Sequence, residues 1–110
     1  MYSSLDKSLS VNPTTMTKSG VVSEDVSFLQ LNSTTKIEAT VATVRPGRFL
    51  VIAQIDAGTA GHTVTIGSGD WNGSNAIATF DAKNECIVVF GISSSTFVVV
   101  ENIGTVGFSG

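Results

Sequence analysis

Lys36-Ile37-Glu38-Ala39-Thr40-Val41-Ala42-Thr43-Val44, followed by Arg45-Pro46-Gly47, decides the fold class of this 110-residue chain. Ile37, Ala39 and Val41 fall on one side of an extended backbone, and Lys36, Glu38 and Thr40 fall on the other. That period of two marks a half-exposed strand. Pro46 then has no amide to donate and Gly47 opens a turn, so the strand stops there.

Working outward, the same chemistry recurs on both sides. Val26–Leu31 precedes the turn cluster Asn32-Ser33-Thr34-Thr35, and Arg48–Ile55 precedes a Gly-rich connector from Asp56 to Gly61. His62–Ile66 alternates again before the long polar loop Gly67–Asn75, which has Asn72-Gly73 at its centre. Ala76–Phe80, Glu85–Ile92, Ser95–Glu101 and Thr105–Phe108 complete a set of about eight strands at spacings of about ten residues, with no amphipathic helical stretch. The reading is an all-β domain: an antiparallel β-sandwich, barrel or β-tulip-like fold. Ahead of it, residues 1–20 are rich in Ser, Thr and Asn, with apolar residues singly or in pairs. They read as an extended N-terminal arm and residues 21–110 as the β domain.

Three runs break the alternation: Phe49-Leu50-Val51-Ile52, Ile87-Val88-Val89-Phe90 and Phe97-Val98-Val99-Val100. In an isolated antiparallel domain, one face of such strands presents contiguous apolar surface to water. Either these strands are covered on both faces within the domain, or an identical subunit covers the second face. A chain of 110 residues has little material for the first arrangement.

The residues that could carry chemistry are sparse. His62 is the single histidine and opens a strand, so a structural or surface role is expected. Gly67-Ser68-Gly69 lacks the lysine and the following helix of a phosphate loop. Asp56, Asp70 and Asp81 each follow a strand, and Asp70–Asn75 lacks the spacing and final glutamate of a calcium loop. Capping or Asx-turn roles for Asp70 and Asn72 suit it better. No nucleophile–base pair, carboxylate pair or metal cluster stands out, so neither an enzyme nor a bound cofactor is expected. Cys86 is alone, which leaves a small apolar role or a thiol facing a partner. Trp71 lies in the polar loop and has three readings: a sugar-stacking platform, a protein–protein anchor, or a lid on its own core.

Composition narrows the partners. The net charge is −3, and six Lys and Arg are spread along the chain, which suits neither a phosphate-tracking surface nor an anionic membrane. Charged residues make up 14%, against about 25% in average domains. Such a charge-poor surface fits a life against other protein. Met1–Lys7 has neither the basic nor the apolar region of a secretory signal.

Gly61–Ile66, Ala78–Ala82, Glu85–Gly91 and Phe97–Val106, in that order, resemble a pattern in the capsid decoration (cement) and head accessory proteins of tailed bacteriophages. The resemblance covers about half of the chain, and it reads Ala78–Glu85 as a hairpin. It implies a virion structural protein without catalytic residues, a homotrimer on the outer capsid surface that ties major capsid subunits together. It also implies that the arm, including Val11, Asn12, Pro13, Thr14, Thr15, Met16 and Thr17, contacts the capsid by adding a strand. Trp71 is the candidate interface anchor on its residue type alone. The alternative is a receptor- or glycan-binding module of a phage head or tail fibre, motivated by Trp71.

Overall fold

Alternation of apolar and polar residues places one face of each strand against a core, and the chain stacks two sheets across that core. The computed structural model describes residues 13–110, which contain eleven strands. The first six are β1 (Thr14–Met16), β2 (Gly20–Val22), β3 (Phe28–Leu31), β4 (Glu38–Thr43), β5 (Phe49–Gln54) and β6 (His62–Ser68). The remaining five are β7 (Asp70–Trp71), β8 (Ile77–Phe80), β9 (Cys86–Gly91), β10 (Thr96–Ile103) and β11 (Gly107–Ser109). One sheet, sheet A, runs β1-β3-β5-β9-β10-β7, and the other, sheet B, runs β11-β8-β6-β4-β2.

The first half winds as a β-solenoid. Odd strands enter sheet A and even strands enter sheet B, and successive coils pair in parallel. Thr14 lies opposite Leu29, which lies opposite Ile52, while Val21 lies opposite Thr40, which lies opposite Thr65. The second half reverses direction: β8 adds antiparallel to β6, and β9 adds antiparallel to β5. Among the described strands, β9 and β10 are the one pair of consecutive strands that are hydrogen-bonded neighbours.

The all-β class therefore stands, but the sheets are mixed and the winding is that of a solenoid, not of an antiparallel sandwich, barrel or tulip. The physical reason lies in the connections. Asn32–Thr35 and Arg45–Gly47 carry the chain from one layer to the other as arches, and do not fold a strand back on its neighbour. Ala78–Glu85 is likewise no hairpin, because β8 belongs to sheet B and β9 to sheet A. Glu85 closes that arch: its buried Oε1 accepts from the backbone amides of Asp81 (2.7 Å) and Ala82 (3.3 Å).

The core fills the gap between sheets. Leu29, Leu31, Leu50, Ile52, Ile87, Val89 and Phe97 come from sheet A, and Val22, Ala39, Val41, Val64, Ile66, Ala78 and Phe80 from sheet B. Gly91 sits where an arch crosses tightly. Its amide donates to the Arg48 carbonyl at 2.7 Å, and its carbonyl accepts from Gly47 at 2.8 Å. A side chain at Gly91 would strike the Arg45 carbonyl, which is backbone and cannot swing away. Gly91→Ala is expected to unfold the protein or to lower its melting temperature by several degrees in a circular-dichroism melt.

The β10–β11 turn holds a strained residue. Gly104 (φ 78°) and Thr105 (φ 65°) are both left-handed, a conformation costly for a β-branched side chain. Asn102 pins the turn: its Nδ2 donates to the Val106 carbonyl at 2.9 Å, and its Oδ1 accepts from the Val106 amide at 2.8 Å. Thr105→Asn, which tolerates this conformation, is expected to stabilise by up to about 1 kcal/mol in urea unfolding.

Candidate interaction surface

The three non-alternating runs fall on β5, β9 and β10, adjacent strands in the middle of sheet A. Alternate residues of each point into the core, so the others must face out. Across the outer face, Phe49 lies opposite Phe90, which lies opposite Val98. A second row joins Phe28, Val51 and Val88, and a third joins Gln30, Ala53, Cys86 and Ile103. Phe49 is 48% exposed, Phe90 41% and Val100 62%. No described residue covers this face, so cover from within the described domain is not what the fold provides.

A bulge shapes the far side of the patch. Val99 pairs with Val89 and Glu101 with Val88, so Val100 is the extra residue. The extra residue shifts every later side chain by one position. Without it Glu101 would face the core opposite Ile87. With it Glu101 faces out and is the one ionisable carboxylate within the apolar rows. Cys86 is half-buried in the third row, and burial pushes its thiol pKa up. It is thus a half-buried, mostly apolar member of an outer face.

The outer face of sheet B is different in kind. Thr40 lies opposite Thr65, and Thr63 lies between Glu38 and Thr79. Its central strands show the alternation expected of a strand with one wet side. The two sheets thus share a core and differ in what they show to the outside.

The titratable residues of the chain's middle make a clamp. His62 is completely buried. Its Nδ1 accepts from the Ile37 amide at 2.9 Å, which leaves the proton on Nε2, facing Asp56 Oδ1 at 2.9 Å. Asp56 also accepts from the amides of Ser33 and Gly58, each at 3.0 Å, and from Gln54 Nε2 at 3.2 Å. One carboxylate therefore ties the β3–β4 arch to the end of β5, the connector and the start of β6. The expected structural role for His62 holds. Burial pushes the Asp56 carboxyl up, but the hydrogen bonds from Ser33, His62 and Gly58 outweigh it and hold the pKa below the ordinary value.

The structure selects among the three readings of Trp71 and removes the interface-anchor one. It is 1% exposed, donates Nε1–H to the Ala76 carbonyl at 3.1 Å, and stacks on Phe97 with ring centroids 5.6 Å apart. Phe108 lies 6.1 Å away on another side. A sealed ring offers no anchor to a partner and no platform to a sugar, so the lid reading is the correct one. The loop around it is also more ordered than expected, because Asp70–Trp71 forms β7. Asp70 accepts from the Thr96 hydroxyl at 3.0 Å, and Asn72 Oδ1 accepts from the Val99 amide at 2.8 Å. Both side chains pin their loop to β10.

Of the arm, Val11 and Asn12 lie outside the described residues. Pro13 and Thr17 are exposed, while Thr14–Met16 form β1 in parallel with β3 of the same chain. Met16 packs against the core, and the Thr15 hydroxyl donates to Gln30 Oε1 at 2.9 Å. This part of the arm therefore adds a strand to its own sheet, and among the described residues no strand pairs with the opposite edge of β1. Among the described residues there is no cluster of three or more potential metal ligands, and no pocket is present. No known protein-family model and no curated protein sequence matches the chain.

The Asp56 clamp has a definite pH signature. A carboxylate with a lowered folded pKa stabilises the fold fully above its unfolded value, about 3.9, and loses that contribution as pH falls through the lower folded value. Asp56→Asn is expected to cost about 1–3 kcal/mol at pH 7, the range for leaving buried partners unsatisfied. The gap from the unaltered protein should narrow below about pH 4 in urea titrations at several pH values.

Proposed function

We propose that this chain is a structural virion protein, a decoration protein that binds the outer surface of a tailed-phage capsid as a trimer and reinforces contacts between major capsid subunits. The observation that carries this reading is the apolar outer face of sheet A, built by Phe49, Phe90, Val98 and their neighbours. Such a face needs a protein partner, because contiguous apolar surface held against water is costly and promotes indiscriminate association. The charge-poor composition fits the same role, and so does the resemblance over residues 61–107.

The mechanism needs no reaction. A decoration subunit works by spanning a joint, so that parting two capsid subunits also means stripping the decoration from one of them. Individual contacts can be modest, since several linked copies convert later binding events into intramolecular ones. Among the described residues the outer edge of β1 has no neighbouring strand, and such an edge offers main-chain donors and acceptors that a capsid strand can complete with little demand on side-chain identity. The glycan-binding alternative depended on Trp71, and its burial gives that reading no stacking surface.

The reading is tested with undecorated capsids of the phage whose genome carries the gene. The protein is expected to co-sediment with them and to raise the temperature at which they release DNA. Absence of co-sedimentation at micromolar protein would overturn it. Deleting residues 1–12, which leaves β1 and β2 intact, is expected to weaken binding, and unchanged binding would remove that segment from the mechanism.

A further inference from the structure

We infer that the outer face of sheet A is where one copy of this chain packs against another, leaving capsid contact to other surfaces. The inference rests on reading the chain as an assembling subunit, and it assigns the partner of one surface. Three observations support it.

The first is exposure. Phe49, Phe90, Val100 and Ile103 stand between 41% and 62% exposed on one side of the molecule. A capsid subunit meets such a face only at assembly, whereas a sister copy is present from synthesis onward. Permanently covered interfaces are the more apolar ones, and interfaces that form late are as polar as ordinary surface.

The second is size. Four strands at their usual spacing and about six residues of strand length make a plane roughly 20 Å on each side. Two such faces meeting remove on the order of 1,000 Å² of accessible surface once side-chain relief is counted, the lower limit for a specific interface.

The third is charge. Glu101 is the only ionisable carboxylate in the apolar rows, and no lysine or arginine lies within them. An apolar face without a cation suits neither nucleic acid nor an anionic membrane. It does suit a second copy of itself, since apolar contact needs no matching of opposite charges. Aromatic side chains at the centre, Phe49 beside Phe90, are the kind that dominate such contacts.

The test is the mass of the purified protein in solution, without capsids, by light scattering across a range of concentrations. The unaltered chain is expected to be a closed oligomer of two or three copies at micromolar concentration. Phe49→Glu and Phe90→Glu, both at exposed positions, are expected to weaken association at least thirtyfold, the scale of an interface hot spot, with an unchanged circular-dichroism spectrum. Thr65→Glu on sheet B is expected to leave the mass unchanged. A second measurement needs no variant: alkylation of Cys86 by iodoacetamide should be slow in the oligomer and quicken on dilution. A monomer at all concentrations overturns the inference, with the face then left to the capsid or to the chain's own N-terminal segment. An oligomer that survives both phenylalanine substitutions, with Cys86 equally reactive at every concentration, overturns it too. Capsid co-sedimentation is scored separately, so loss of self-association with capsid binding retained sinks this assignment alone.

Discussion

A β-strand can give only every second residue to one core, and in this protein that constraint governs everything else. Between sheets A and B the inward residues form a continuous apolar layer of Leu29, Leu31, Leu50, Ile52, Ile87, Val89 and Phe97 against Ala39, Val41, Val64, Ile66, Ala78 and Phe80. Those residues alone would satisfy the core. The outward residues of the same strands are left to interact with whatever lies beyond, and the two sheets use that freedom in opposite ways. The central strands of sheet B present threonines, with Val21 exposed at its β2 edge, and sheet A presents phenylalanine and valine.

The polar interior is economical by comparison. Asp56 and His62 join the β3–β4 arch to the β5–β6 connection, and Glu85 closes the β8–β9 arch. Arg48, also buried, donates to the carbonyls of Ser23 (3.2 Å) and Val26 (3.5 Å) and so ties the β2–β3 connection to β5. These side chains stand at the arches, where backbone groups leave the sheet ladder and need other partners. They hold coils in register. Each of these interior ionisable groups is bonded to backbone at a crossing between layers.

How much of this was legible beforehand varies by residue. The eight expected strands correspond to β3–β6 and β8–β11, because their alternation and turn residues are local signals. The strands β1, β2 and β7 were missed, being only two or three residues long, too short to show an alternation. The three readings of Trp71 could not be separated from its neighbours in sequence, since the rings that enclose it, Phe97 and Phe108, lie far along the chain. The His62 clamp was half visible. Asp56 is six residues away, but the Ile37 amide that settles the ring's proton comes from a different coil.

From residue order alone came the strands, their stopping points, the scarcity of chemical groups, and three runs apolar on both sides. Those are properties of side chains and of turns a few residues long. The parallel pairing, and the gathering of those three runs onto neighbouring strands of one sheet, belong to the tertiary structure. Alternation reads the same whether the next strand runs up or down, so nothing local distinguishes an arch that changes layers from a turn that folds back. Only the closure of the whole chain around one core selects between them.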